Sequence, residues 1–147
     1  MPFLTFFWWI NAFLIFKVPY YSESARQQQT HPIKTYVIDN GLINAYSLKI
    51  TDLYHKLLEN QVYLDLRRQG KEIFYYHTNS GYEIDFVTKD KKGERELIQV
   101  TWDMSDLKTA EREQRALDNA KYELGIKHGR IIIAHEYATA GSVWSGC

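Results

Sequence analysis

The sequence predicts an α/β (α+β) fold, a sheet flanked by helices, on three observations. Apolar residues recur at helical spacing through Leu53, Tyr54, Leu57, Leu58, Val62 and Leu66. Three short runs of strand character follow, and a second helical stretch then precedes Ile131-Ile132-Ile133. The resulting order is helix-strand-strand-strand-helix-strand, a pattern that packs helices on a sheet. With 147 residues the chain has the size of one ordinary domain.

Phe3 to Phe16 reads FLTFFWWINAFLIF, polar only at Thr5 and Asn11. As a helix it would extend about 21 Å, short of a bilayer's ~30 Å hydrocarbon core. It lacks the basic start and small-residue cleavage site of a signal peptide. An uncapped apolar start of this kind suggests a segment that packs on a larger architecture. Phe13–Val18, closed by Pro19, reads as a strand. Tyr20–Pro32, with three consecutive Gln, reads as a loop or frayed hairpin. Ile33–Ile38 alternates as a strand does, and Asp39-Asn40-Gly41 supplies turn chemistry.

The first long helix is expected from a cap at Thr51 to Gly70. Strands are expected at Glu72–His77, Tyr82–Thr88 and Glu96–Trp102, the last two joined by the polar turn Lys89–Arg95 as an antiparallel hairpin. A second helix is expected over Leu107–Leu124, capped by Ser105 or Asp106 and ended by Gly125. Gly129–His135 completes the set as a short buried strand.

Composition removes several functions. Lys plus Arg equals Asp plus Glu at 18 each, so the chain is neither strongly basic nor acidic, although local patches remain open. One Cys excludes an internal disulfide or a cysteine zinc site and is compatible with a reducing cytoplasm. The five His residues (His31, His55, His77, His128, His135) show no metal-ligand spacing. No G-x-x-x-x-G-K-[ST] occurs, so ATP is not bound through a P-loop in this sequence. No membrane contact is expected.

Alternation in the hairpin puts Glu83 and Asp85 on one face and Tyr82, Ile84 and Phe86 on the other. Its partner alternates Leu97, Gln99, Thr101 against Ile98, Val100, Trp102. If the polar faces coincide, Asp85 and Gln99 share a cleft that Glu59, at the edge of the first helix's apolar stripe, overhangs. Two carboxylates and an amide oxygen suit Mg²⁺, which can hold a phosphodiester and generate hydroxide. The plainer reading is that these residues are the wet face of a hairpin and a solvated helix edge.

Lys34-x-Tyr36-x-x-Asp39-x-Gly41-Leu42, Leu58-Glu59-Asn60-x-Val62, Glu83-Ile84-Asp85-Phe86-Val87 and Ile98-Gln99-Val100 occur in this order. Over about residues 13–133 they resemble the C-terminal domain of prokaryotic AAA-type ATPases, a domain of unknown function with a PD-(D/E)XK nuclease-like fold. The resemblance implies a restriction-endonuclease-like mixed sheet. It implies that Glu59 matches the acid of the helix opening the core and Asp85 the metal-binding aspartate. Gln99 takes the place of the second metal-binding acid, and Thr101 falls where the catalytic lysine belongs. A hydroxyl cannot supply the lysine's electrostatic stabilisation. Lys89, Lys108 or Arg112 would have to move into the role.

On this resemblance residues 1–11 are an apolar junction remnant, 12–50 N-terminal strands and loop, 51–135 the nuclease-like core and 136–147 a tail. The ATPase module is expected in a separate or missing part, so the chain reads as truncated or separately encoded. Lys89, Lys91 and Lys92 could bind phosphates, although acids are interleaved with them. Tyr75, Tyr76 and Tyr82 could stack on bases or serve as core. Ser105-x-x-Lys108 matches an acyl-transfer pattern only loosely. The leading expectation is a non-catalytic accessory module that binds nucleic acid or a protein partner. The alternatives are an active Mg²⁺-dependent nuclease using Glu59, Asp85 and Gln99, and a dimerisation or docking domain whose interface is the apolar N-terminal stretch.

Overall fold

A computed structural model describes residues 14–46 and 53–134. The apolar stretch up to Phe13, the cap expected at Thr51, and the tail from His135 lie outside the described residues. In chain order the elements are β1 (Ile15–Val18), α1 (Ala25–Thr30), β2 (Lys34–Val37), α2 (Asn40–Tyr46), α3 (Leu53–Arg68), β3 (Glu72–His77), β4 (Glu83–Lys89), β5 (Arg95–Thr101), α4 (Leu107–Leu124) and β6 (His128–Ile133).

The main sheet has the order β3-β4-β5-β6. Its first two pairings are antiparallel, and β5 pairs with β6 in parallel, with α4 as the crossover. The sheet is therefore mixed, as predicted. β1 and β2 form a separate antiparallel pair. It is tied to the main sheet where Tyr21 N–H donates to Tyr75 O at 2.7 Å and Tyr75 N–H to Pro19 O at 3.2 Å, so residues 19–21 run along the outer edge of β3.

The sheet's two faces hold two cores. On one, Val18, Tyr36, Val62, Leu66, Phe86 and Ile98 pack among α3, β2 and the strands. On the other, Ile84, Val87, Leu97, Leu117 and Ala120 pack under α4. The second helix is bounded as expected. Asp106 caps it by accepting from Thr109 N–H, and Gly125 ends it in the left-handed region at φ +62°.

Two expectations are corrected. The Tyr20–Pro32 stretch contains α1, because Ser22 Oγ accepts from Ser24 N–H and Gln28 reaches back to Ser22 O, closing a helical turn around good helix formers. Asp39-Asn40-Gly41 does not end in a turn but opens α2, with the Asp39 carboxylate accepting from Gly41 N–H. A Cβ at Gly41 would lie 2.6 Å from Asp39 Oδ1, so a larger residue there would make the exposed Asp39 side chain shift.

The alternation of β4 is also broken. Phe74 pairs with Val87 but Tyr76 with Ile84, so β4 carries one extra residue there. Ile84 and Val87 both face α4, whereas Phe86 faces the α3 core. Phe86 thus shares the face of Asp85 rather than that of Ile84, contrary to strict alternation.

Candidate functional site

The bulge brings Asp85 under β2 and α3. Lys34 projects from β2 into the same place, and Glu59 from the middle of α3. The Lys34 ammonium lies 3.4 Å from Glu59 Oε1 and 3.8 Å from Asp85 Oδ1, and it also pairs with Glu83. Tyr36, two residues along β2 and therefore on the same side, donates its hydroxyl to Glu59 Oε1 at 2.6 Å. His77 Nε2 lies 2.8 Å from Glu83 Oε2, and His55 Nδ1 lies 3.8 Å from Glu59 Oε2 while its Nε2 donates to Val100 O.

Burial and charge set the protonation of this group. Burial raises the Asp85 pKa well above the usual carboxylate value and the negative charge of Glu59 adds to it, against Lys34 and the Val100 amide. Burial opposes the Lys34 charge, but Glu59, Asp85 and Glu83 outweigh it and raise its pKa. Glu83 is lowered, because the hydrogen bonds from Lys34 and His77 outweigh its burial. Burial and Glu59 raise Tyr36, which stays a hydroxyl donor.

Glu59 and Asp85 are brought together as anticipated, but Gln99 does not join them in the cleft. Its neighbours Ile98 and Val100 face α3, so Gln99 faces α4. There its amide donates to Glu113 Oε2 at 2.7 Å and to Glu83 O at 3.2 Å, and its carbonyl accepts from Asp85 N–H at 3.3 Å. Every polar atom of the Gln99 side chain is engaged inside the fold.

Thr101 is buried, with its hydroxyl on Asp103 O. The cation beside Asp85 is none of the three anticipated. Lys89 pairs with Glu72 at the other end of β4, about 20 Å from Glu83 at 3.4 Å per residue. Arg112 is bound to Glu113, and Lys108 is exposed in the first turn of α4. Lys34 was missed although it belongs to one of the recognised motifs. The signal available was its spacing of two from Tyr36, which puts both on one side of a strand.

The donor set does not fit a hard divalent cation. An ammonium stands among the three carboxylates, and one Asp85 oxygen is taken by Val100 N–H at 2.8 Å. Among the described residues no group of three or more His, Cys, Asp or Glu side chains is arranged to hold a metal. Tyr75 and Tyr76 are core residues, Tyr76 donating to Glu123, and Ser105 serves the Asp103 turn. Among the described residues no helix is long and apolar enough to cross a membrane.

Comparison with known proteins gives two matches. A family described as a domain of unknown function, DUF4143, matches residues 54–142. An uncharacterized protein of Methanocaldococcus jannaschii is 33% identical over 126 residues, which take in 84% of this chain and 27% of that protein. The chain thus spans about a quarter of the length of that relative. No solved structure matches it.

Proposed function

The chain belongs to the DUF4143 family, and from that premise we propose that it is a non-catalytic, PD-(D/E)XK nuclease-like accessory module of an AAA-type ATPase, acting by binding nucleic acid or a protein partner. One observation carries the non-catalytic reading. The groups that the resemblance assigns to metal binding and catalysis are engaged with other parts of the fold. Glu59 and Asp85 face the Lys34 ammonium, Gln99 bonds across the sheet to Glu113, and Thr101 bonds to Asp103.

An active centre of this kind needs open coordination positions for metal and water, and here filling them would require displacing Lys34. The accessory role rests on the resemblance of the sequence motifs, and it accords with a chain that matches 27% of a longer archaeal relative. A reducing, cytoplasmic setting belongs to the same proposal.

The test combines Mg²⁺ and Mn²⁺ titration calorimetry with plasmid nicking, on the wild type and on Asp85→Ala. No metal binding and no nicking by the wild type is the expected result. Metal-dependent nicking that disappears in Asp85→Ala would overturn the non-catalytic reading.

A further inference from the structure

The formally neutral chain is polarised along its strands. At the end where β4 begins and β5 finishes, around the bulge, Glu59, Glu83 and Asp85 face the Lys34 ammonium. The opposite end gathers the 89–95 turn, the start of β3 and the start of β6, since Glu72 pairs with Lys89 and Glu96 with His128. In sequence this region mixes acids and bases, and the fold pairs off two of the acids.

Glu96 is held by Lys71 and Arg130, both at 3.1 Å, and Glu72 by Lys89. The Asp90 carboxylate turns inward, accepting from the N–H groups of Lys92 and Glu94 at 2.8 Å each. Lys91, Lys92 and Lys127 are left exposed, with no ion pair among the described residues, against one exposed acid of the same turn, Glu94. Arg67, Arg68 and Lys121 are not counted with them, because they stand in the last turns of α3 and α4 and complement the negative helix ends.

We propose that this end of the sheet, through Lys91, Lys92 and Lys127, binds the phosphate backbone of nucleic acid, with the carboxylate cluster turned away from it. Unpaired ammonium groups gathered at one end of a sheet can supply sequence-independent phosphate binding. The same end carries Tyr122, 91% exposed in the last turn of α4, a ring on which an unstacked base can rest. Residues 89–95 present only charged side chains and a glycine, which favours a nucleic acid over a bilayer that apolar groups would enter. The inference rests on the binding role proposed above and gives it a place remote from the nuclease-like cluster.

Fluorescence anisotropy of a fluorescein-labelled 20-nucleotide single strand and the corresponding duplex, titrated with the full chain, tests it. Binding is expected at 50 mM salt, and for three phosphate contacts it weakens between 50 and 200 mM about 40-fold on the duplex and about 20-fold on the single strand. Lys91→Glu with Lys92→Glu and Lys127→Glu should weaken it at least tenfold, while Glu59→Gln leaves it unchanged. Circular dichroism on each variant establishes that the fold is kept.

Absence of wild-type binding at 50 mM salt, or equal binding by the charge-reversed variant, would overturn the proposal. Binding to phosphatidylserine vesicles but to neither oligonucleotide would also overturn it. Nicking of the duplex in Mg²⁺ would instead sink the non-catalytic reading and leave this surface standing, so the two failures are separable.

Discussion

Asp85 and Val100 are joined where the β4–β5 ladder gives out. The paired positions run from Lys89 with Arg95 to Phe86 with Ile98, and beyond them Asp85 Oδ2 accepts from Val100 N–H at 2.8 Å. In exchange, the Asp85 amide donates to the side chain of Gln99. Two side-chain bonds thus replace the next backbone pair, and the carboxylate that the resemblance marks for metal binding holds two strands together. This relationship, with the Lys34 ammonium beside it, shapes the expectations below.

Asp85→Asn separates the acceptor role from the charge. A carboxyl whose folded pKa is raised binds its proton more tightly when folded, so its contribution is full below the unfolded value near 4 and is lost as pH rises through the folded value. Wild-type melting temperature should therefore fall over that interval. Asn keeps the bond from Val100 N–H without the charge, so the variant should lose this dependence and match or exceed the wild type at its upper end. A thermal-melt series from pH 4 to 9 reads both; an unchanged slope in the variant would count against the assignment.

Glu83 sets the acid limb with the opposite sign. Its lowered folded pKa contributes stability above the unfolded value of about 4.5, lost as pH falls through the folded value. Glu83→Gln should lessen acid destabilisation below about pH 4.5 and lower stability at neutral pH. Urea midpoints at pH 3.5 and 7 measure the difference.

Lys34→Met removes the only ammonium in contact with the three carboxylates among the described residues. Leaving one side of a buried ion pair unmatched costs about 3–5 kcal/mol, and the partial exposure of Lys34 places the expected loss near the low end, at about 3 kcal/mol. Adding Glu59→Gln to Lys34→Met should recover part of this, because it removes a carboxylate left without its cation. A double-mutant cycle in urea gives the coupling.

Gln99→Glu would be the obvious way to restore the second acid of a nuclease-like site. Here it brings a carboxylate against Glu113, where the amide now donates at 2.7 Å, and against the Glu83 carbonyl. Like charges in a buried contact repel, so destabilisation at neutral pH and no gain of Mg²⁺ affinity are expected. Partial recovery of the melting temperature by adding Glu113→Gln is the corresponding check.

Asn60→Ala tests how β2 is held. Asn60 accepts from Val37 N–H at 2.8 Å and donates to Val37 O at 3.0 Å, acting as a strand partner from within α3. Leaving the two half-buried Val37 backbone groups unpaired costs toward the low end of about 1–3 kcal/mol each. The expected loss is about 3 kcal/mol, with hydrogen exchange accelerated at residues 34–37.

The regular core was legible because its signals are local. Leu107–Leu124 was bounded correctly from its apolar spacing, a following glycine and a preceding acceptor, and each of these acts within a turn or two. The three central strands were placed within about a residue at each end, because alternation and turn residues mark them. α1 escaped notice because an alanine and five polar residues with no buried position carry no amphipathic pattern. α2 was hidden behind Asp39-Asn40-Gly41, whose residues serve a turn and a helix start equally well.

The cluster was half legible. By itself, the sequence determined the order of the two long helices and the four strands of the main sheet, the caps of α4 and the side of α3 that bears Glu59, because hydrogen bonding along a helix and side-chain alternation along a strand are short-range. Only the tertiary structure decided that a bulge turns Asp85 and Phe86 to one face, that Gln99 points to the other, and that the cation beside Asp85 comes from β2. Those outcomes depend on how strands pair and which helix covers which face, and that is settled by packing between residues far apart in the chain.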